Sequence, residues 1–211
     1  MMLKKTLLSA LAATCAATIA GSVFAAPQQW TGAMGGNDHW YDYVLAVTGG
    51  GFTWDGAAAD SATHSFNGMA GYMATVTSQG EQDFIFNTIT RNTAWLGGND
   101  RATEGTWNWV FGPETGNVFY VAGAGSQPGY SFWSGGEPNN CCNGEDDLQI
   151  NWDGTTGQWN DHGTPSFPSD TWGYIIEYSG TSTVPEPTTL LLAGLALVGL
   201  ASIRRHAVVN D

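Results

Sequence analysis

The chain has 211 residues, 19 of them acidic and only 6 basic, and its formal net charge is −13. A surface this acidic repels nucleic acid and anionic lipid and attracts cations. The composition therefore excludes nucleic-acid partners and favours a domain that interacts with positively charged species.

Residues 1–26 have the pattern of a signal peptide. Two lysines precede an apolar run from Leu7 to Ile19, and the segment ends in the small residues Ala25-Ala26 that signal peptidase requires. Cys15 raises the alternative of a lipoprotein site, but Thr14 before it fits poorly and the apolar run continues beyond it. We therefore predict ordinary cleavage and an exported mature chain that begins near Pro27.

A strand and a helix are expected at the start of the mature domain. Residues His39 to Val47 alternate aromatic or apolar with polar side chains, which indicates a strand. Thr53 is a capping residue type and Asp55 places an acid in the first turn. We expect a helix that begins there and continues through the alanine-rich stretch to Ser65.

A second helix and a mostly β half follow. After a short strand at Tyr72 to Val76, Ser78 and Glu81 form a capping-box pattern that predicts a helix to about Ile89. From Asn92 onward loops and short strands dominate, and a last strand, Gly173 to Tyr178, is expected to pair with the first one. Two early helices followed by loop-rich β structure predict an α+β domain.

Three clusters of oxygen-bearing side chains lie in the loop-rich half, without lysine or arginine among them. They are Glu137-Pro138-Asn139-Asn140, Glu145, and Trp159-Asn160-Asp161. Each cluster alone is also typical of a solvated turn. Together they offer the hard oxygen donors that calcium takes in sets of six to eight. No grouping of histidine and thiolate at zinc spacing accompanies them.

The C-terminal segment, residues 188–211, is apolar with a basic stop and follows a linker at residues 179–187. Its apolar run, Leu190 to Ile203, is shorter than the roughly 20 residues of a permanent span, and Arg204-Arg205 would stay cytoplasmic. A transient tether fits this pattern, with a plain single-span anchor as the alternative. Val184 to Arg205 resembles the PEP-CTERM sorting signal of Gram-negative bacteria. That resemblance implies transient anchoring in the inner membrane, removal of the tail by an exosortase, and delivery among secreted polysaccharide, although His206 to Asp211 extend past the usual stop.

Residues 27–178 remain as one domain, long enough to bury a core without disulfides. Its only basic residues are Arg91 and Arg101, against seventeen acidic ones, so its net charge is about −15. The stretch Asp38 to Tyr178 resembles a C-type lectin domain. Segments that match in order are Thr53-Trp54, Gly71 to Val76 with Ser78 and Glu81, Ala94 to Asp100, Glu104 to Trp109, Glu137-Pro138-Asn139, Glu145-Asp146, and Trp159-Asn160-Asp161.

The resemblance implies a C-type lectin-like fold, in which two helices flank small antiparallel sheets and a long loop region. It also implies one calcium ion (Ca²⁺), two sugar hydroxyls that complete its shell, a cis peptide bond before Pro138 and, from Glu-Pro-Asn, a preference for mannose-type sugars. The implied ligands of both ion and sugar are Glu137, Asn139, Glu145, Asn160 and Asp161.

The chain departs from the family pattern in its cysteines. The two usual disulfides are missing, and the matching positions carry Ser61, Asp147, Thr164 and Ile176. Cys141 and Cys142 are adjacent inside the presumed calcium loop, where they form a vicinal disulfide, bridge to another chain or bind a soft metal. We favour the vicinal disulfide.

The tryptophans and histidines are assigned mainly to packing. Trp54, Trp95, Trp107 and Trp109 match buried family positions, whereas Trp30 and Trp152 are candidates to stack on a sugar, with core or loop packing favoured for both. His39, His64 and His162 lie in unrelated segments, so we interpret them as surface or hydrogen-bonded residues.

The leading hypothesis is an exported, non-enzymatic, calcium-dependent lectin that binds a glycan or exopolysaccharide at the cell surface or in the extracellular matrix. The alternative is an adhesive or structural matrix protein that uses the same fold to bind protein. A thiol or copper enzyme built on Cys141, Cys142 and His162 comes third, because no nucleophile triad, phosphate loop or nucleotide fingerprint supports it.

Overall fold

The computed structural model describes residues 26–46, 50–142, 144–164 and 171–180. The expected signal peptide, the linker beyond Gly180 and the apolar C-terminal segment lie outside these residues. Within the described part of the chain, no helix has both the length and the apolar character needed to cross a membrane.

The described residues contain two α-helices and ten β-strands. The helices are α1 (Trp54–Ser61) and α2 (Gln79–Phe84), with a 3₁₀ turn at Gly32–Met34 and a π-helical turn at Ile85–Ile89 that continues α2. The strands are β1 (Gln28–Gln29), β2 (Trp40–Leu45), β3 (Ser65–Phe66), β4 (Met69–Met73), β5 (Ala94–Asn99), β6 (Thr106–Trp109), β7 (Val118–Val121), β8 (Asp147–Ile150), β9 (Trp159–His162) and β10 (Gly173–Tyr178).

Strand β10 lies at the centre of the sheet and pairs with three other strands. It pairs antiparallel with β2 over six residues, which confirms the predicted pairing of the last strand with the first, and also antiparallel with β4. A parallel contact at Tyr174 and Trp95 joins it to β5, which in turn carries β6 and β8. The α+β class is confirmed, and the small sheets expected from the resemblance connect into one ten-stranded network.

Helix α1 begins as predicted and ends earlier. The Thr53 hydroxyl accepts a hydrogen bond from the Gly56 N–H at 3.1 Å, which is the expected N-cap. The extension to Ser65 is wrong, because Ser65 belongs to β3. Asn67 and Gly68 have φ angles of 50° and 77° and form a tight two-residue turn to β4, so the hairpin replaces the last helical turn. The predicted strand at Tyr72 to Val76 is correspondingly shifted toward the N-terminus.

Helix α2 has the expected N-cap at Ser78, but the Glu81 half of the predicted capping box has a different partner. The Ser78 hydroxyl accepts from the Glu81 N–H at 3.2 Å, as predicted. The Glu81 carboxylate turns back to Thr77 instead of Ser78, accepting from its N–H at 2.8 Å and its hydroxyl at 2.9 Å. A hydrogen bond from the Tyr41 hydroxyl, 2.5 Å long, ties the same carboxylate to β2. The Glu81 side chain of this cap is therefore buried in the core.

Aromatic side chains form much of the core. The four tryptophans predicted to be buried are so, at 5% exposure or less: Trp54, Trp95, Trp107 and Trp109. Trp30 is also buried, at 8% exposure, and stacks on Phe84 with ring centroids 6.1 Å apart, which removes it as a sugar-stacking candidate. Trp152 is 48% exposed.

The three histidines of the described residues have polar or aromatic neighbours, and the hydrogen bonds of His39 and His64 agree with the prediction. His39 Nδ1 lies 2.5 Å from Glu177 Oε1, and His64 Nε2 lies 3.3 Å from Asp60 Oδ2. The ring of His162 stacks on Trp95 with centroids 5.7 Å apart.

Arg101 connects helix α1 to strand β8. Its guanidinium donates to both carboxylate oxygens of Asp147, at 2.7 and 2.8 Å, and to Asp55 at 2.7 Å. The same group lies 4.5 Å from the ring of Trp54. Asp147 occupies one of the positions at which the resemblance would place a cysteine. An ion pair here links the helix to the strand that follows Glu145-Asp146.

Candidate metal centre

Strand β9 holds the loop that carries the first predicted cluster. The Trp159 N–H donates to the Phe132 carbonyl at 2.8 Å, and the Ser134 N–H donates to the Trp159 carbonyl at 2.9 Å. The Glu137 N–H then donates to the Ser134 carbonyl at 3.0 Å. The Glu137–Pro138 peptide bond is cis, as the resemblance implied. These contacts place Glu137 beside the strand that contains Asn160 and Asp161.

Asp161 is the centre of the cluster. It is 1% exposed, and its carboxylate accepts hydrogen bonds from the backbone N–H groups of Asn139 and Asn140, the latter at 2.7 Å. Burial, followed by contact with the Asp161 carboxylate, raises the pKa of Glu137 to about 7. The Glu137 Oε2 atom is buried and has no hydrogen-bond donor among the described residues. The Glu137 and Asp161 carboxylates have no positively charged side chain beside them among the described ion pairs.

Glu145 completes a trio of acids. It is 8% exposed, and its Oε2 accepts from the Cys141 N–H at 3.1 Å. Burial, and then the negative charge of Asp161, raises its pKa to about 7. His162 Nδ1 lies 3.6 Å from Glu145 Oε1, but burial lowers the pKa of that histidine, so it is neutral near pH 7. The imidazole therefore does not neutralise the carboxylates.

The two predicted amide ligands lie at the edges of the trio. The Asn139 side-chain oxygen accepts a hydrogen bond from the Cys141 N–H at 2.9 Å. The Asn139 backbone N–H donates to the Asp161 carboxylate. Asn160 is 9% exposed and its side-chain nitrogen donates to the Asp161 carbonyl at 2.5 Å. The structure thus places Glu137 in contact with Asp161, and it links Asn139 and Asn160 to Asp161 by hydrogen bonds. Glu145 lies within electrostatic range of Glu137 and Asp161, but the three carboxylates do not form a group within 4.8 Å of one another.

The chemistry of this donor set fits calcium. It provides carboxylate and amide oxygens, one of them buried without a donor, and both glutamates gain protons more readily than free glutamate does. A divalent cation removes the mutual repulsion and satisfies the free oxygens, which are of the hard type that calcium prefers. The residues in the sequence that match calcium ligands are compatible with such an ion.

Cys141 and Cys142 form a disulfide with each other, the first of the alternatives considered from the sequence. Cys141 is partly buried and Cys142 is exposed. Because both sulfurs are consumed in the bond, neither is a thiolate that could bind copper or another soft metal in this state.

The fold also forms a second acidic cluster, which the sequence analysis does not predict as a ligand set. Carboxylate oxygens of Asp100, Glu104 and Asp146 lie within 4.8 Å of one another. Asp100 is 1% exposed, its Oδ1 has no donor among the described residues, and burial raises its pKa to about 7. In the sequence, the available signal for this cluster is the four-residue spacing of Asp100 and Glu104. Their proximity to Asp146, which follows Glu145, depends on the fold. This cluster could hold a second cation.

Family models match two parts of the chain. Residues 53–165 match the C-type lectin domain, and residues 183–205 match the PEP-CTERM protein-sorting motif. The first match contains the five predicted ligands and the disulfide. The second implies export, sorting to the cell surface and processing by an exosortase.

Curated relatives include lectins and much larger proteins. Halomucin of Haloquadratum walsbyi is 38% identical over 145 residues, which are 69% of this chain and 2% of halomucin. The low affinity immunoglobulin epsilon Fc receptor of Mus musculus is 33% identical over 56% of this chain and 30% of the receptor. Lectin BRA-3 of Megabalanus rosa is 37% identical over 43% of this chain and 47% of that lectin. The chain spans less than half the length of each of these relatives.

Solved structures similar to this chain include two lectin domains. The C-type lectin CEL-I of Cucumaria echinata is 26% identical, with 68% of this chain and 92% of CEL-I covered and a TM-score of 0.48. The carbohydrate-recognition domain of cow CD23 is 23% identical, with 68% and 89% covered and a TM-score of 0.49. The family-model match spans more than half of the chain, and on that basis this protein belongs to the C-type lectin domain family and carries a PEP-CTERM sorting motif.

Proposed function

We propose that this domain binds carbohydrate through a calcium ion held by Glu137, Asn139, Glu145, Asn160 and Asp161. The observation that carries the proposal is the contact between Glu137 and the buried Asp161, with the Glu145 carboxylate within electrostatic range of both and no lysine or arginine among their described contacts. Because unpaired buried carboxylates destabilise a fold, such a group is not explained by stability. Membership of a lectin family supports a ligand-binding reason for it.

The physical problem of sugar recognition is competition from water. A neutral sugar gains little from ordinary hydrogen bonds, since each one replaces a bond to water. When bound, calcium supplies a concentrated positive charge to which two neighbouring hydroxyls can bind directly. Glu137 would then accept a hydrogen bond from one hydroxyl, and the Asn139 amide would donate to the other.

The order of these groups supports a mannose-type preference. Glu137 precedes Asn139 across Pro138, so the acceptor and the donor occupy defined sides of the proposed site. The resemblance associates this order with mannose, glucose, fucose or N-acetylglucosamine. We propose sugars of this class, including those in an exopolysaccharide, as the ligands.

The sorting motif supports a location for this activity. It implies export and exosortase processing, and we propose that the apolar C-terminal segment anchors the chain in the inner membrane before it is processed. A lectin released at the cell surface would meet secreted polysaccharide. Since single lectin sites bind weakly, presentation of many copies would strengthen attachment.

A glycan array tests the proposal. The purified secreted protein is applied with calcium, with chelator, and with calcium restored after chelation. We expect binding to mannose-type glycans that disappears with chelator and returns with calcium. Calcium binding in a separate titration with no glycan binding would favour the adhesive, protein-binding function, and loss of both would remove the proposed site.

A further inference from the structure

One backbone N–H connects two of the proposed calcium ligands. The Cys141 N–H donates to the Asn139 side-chain oxygen at 2.9 Å and to Glu145 Oε2 at 3.1 Å. Asn139 and Glu145 stand on opposite sides of the disulfide in the sequence. Their relative position therefore depends on the orientation of the Asn140–Cys141 peptide group, which carries this N–H.

The backbone around this peptide group has an unusual conformation. Asn140 and Cys142 have φ angles of 48° and 60°, in the left-handed region. Asparagine tolerates that region because its short polar side chain bonds locally, and here Asn140 Oδ1 accepts from the Glu145 N–H at 2.8 Å. Cysteine has no such compensation, so the conformation at Cys142 needs another restraint.

The Cys141–Cys142 disulfide provides that restraint. A bond between adjacent cysteines closes an eight-membered ring that contains their shared peptide bond, so it restricts ψ of Cys141 and φ of Cys142, the left-handed torsion. The Gly144 N–H donates to the Cys141 carbonyl at 2.8 Å and closes the same turn. The Cys141 nitrogen is bonded to a Cα atom of this ring, so without the ring only hydrogen bonds would hold the turn that places the Cys141 N–H between the two ligands.

We infer that the Cys141–Cys142 disulfide is a positioning device for Asn139 and Glu145, and that its reduction weakens calcium binding and, through it, sugar binding. This inference rests on the proposed function. The reductant is a dithiol, which supplies two electrons and two protons. The sulfur–sulfur bond breaks, two cysteine thiols form, and the dithiol becomes a disulfide. Cys142 is exposed, so a dithiol in solution can reach the bond.

Calcium titration of the secreted protein in two redox states tests the inference. One sample stays oxidised, and the other is reduced with dithiothreitol, freed of reductant under argon and titrated anaerobically. We expect the calcium dissociation constant to rise about tenfold on reduction, the scale of losing a hydrogen bond to a charged group. Reoxidation should restore the original value.

The variant C141S/C142S is the matched control. It should bind calcium as weakly as the reduced protein and be unaffected by dithiothreitol, which separates the disulfide from any effect of the reagent on calcium. Circular dichroism and the melting temperature of the metal-free protein are measured in parallel. A positioning role leaves the metal-free fold intact, whereas unfolding on reduction would mean a general structural role and overturn the inference.

The two proposals fail differently. If the oxidised protein does not bind calcium, the proposed function itself is wrong. Equal calcium affinity in the oxidised and reduced states would overturn the role of the disulfide and leave the calcium site in place.

Discussion

The backbone N–H of Asn139 donates to both carboxylate oxygens of Asp161, at 3.2 and 3.0 Å. Asn139 lies in the loop after the cis peptide bond, and Asp161 lies on strand β9. One carboxylate therefore fixes the loop to the sheet. The proposed calcium site is built in advance on the rigid part of the domain, which reduces the cost of ordering the loop on binding.

Asp161→Asn should remove most of the calcium affinity. The substitution deletes a negative charge and places an amide nitrogen near the N–H groups of Asn139 and Asn140. We expect the calcium dissociation constant to rise at least about 100-fold. Loss of an outer-shell partner of a metal site already costs up to that much, and Asp161 is a proposed direct ligand. Isothermal titration with calcium measures this. The control Asp83→Asn removes an exposed carboxylate from α2 and should bind calcium normally, and equal affinity in both variants would argue against the site.

The metal-free protein should become less stable as pH rises from about 4.5 to 7. Glu137 and Glu145 have pKa values of about 7 in the fold, above the ordinary value of 4.5, so the folded state holds protons that the unfolded state has released. Calcium needs the ionised carboxylates, so the stabilisation that it provides should grow over the same interval. At a hundredfold excess over its dissociation constant the gain is about 2.7 kcal/mol.

Thermal melts with and without calcium across this pH range measure both trends. The His39 pair with Glu177 acts in the same direction, because the raised pKa of His39 gives stability that is lost as pH increases. The variant E137Q/E145Q should lose the calcium-dependent trend and keep the part that comes from His39, Asp100 and Asp147, whose pKa values are also raised. A calcium effect that is unchanged between pH 5 and 8 would contradict the carboxylate site.

Exchanging the donor and the acceptor should change sugar specificity while calcium still binds. E137Q/N139D keeps the number of oxygen ligands and the net charge but reverses which side of Pro138 carries the carboxylate. We expect a shift from mannose-type toward galactose-type glycans, since each mismatched polar group costs about 1–3 kcal/mol. Calcium titration and a glycan array are run on the same sample. Retained calcium binding with unchanged sugar preference would show that the ion does not contact the glycan.

Loss of Arg101 should destabilise the fold. Burial raises the pKa of Asp147 to about 6 even beside the guanidinium, so Arg101→Ala leaves a buried carboxylate without its cation. We expect the free energy of unfolding to fall by about 3 kcal/mol, near the lower end for breaking a buried pair because Arg101 is 21% exposed. Denaturant unfolding measures it. Asp55, whose side chain is 65% exposed, contributes little, so Asp55→Asn should cost less than about 1 kcal/mol.

Arg91→Ala is the matched control for this prediction. The guanidinium of Arg91 is exposed and lies 5.0 Å from the ring of Phe86, with no carboxylate partner among the described ion pairs. Its loss should change the unfolding free energy by roughly 0.5 kcal/mol or less, as is usual at the surface. Equal losses from both variants would mean that the Asp147 pair does not stabilise the fold.

The sequence by itself determined the features that depend on neighbouring residues. Thr53 and Ser78 cap their helices with side-chain oxygens three residues from the N–H they accept, and such short-range chemistry is visible in the order of residues. Alternation of apolar and polar side chains likewise indicated β2. The error at Ser65 is also local, because the Asn67-Gly68 pair that forms the hairpin turn lies two residues after it in the sequence.

Only the tertiary structure decided which charges meet. Arg101 bonds to Asp55 and Asp147, each 46 residues away, and Asp100 approaches Asp146 because strands β5 and β8 pair. Burial beside Asp161, which lies far along the chain from Glu137, raises the pKa of that glutamate. Residue type sets what a side chain can bind, but its pKa and partners depend on the solvent excluded and the charges brought near by packing, and these arise only when distant segments fold together.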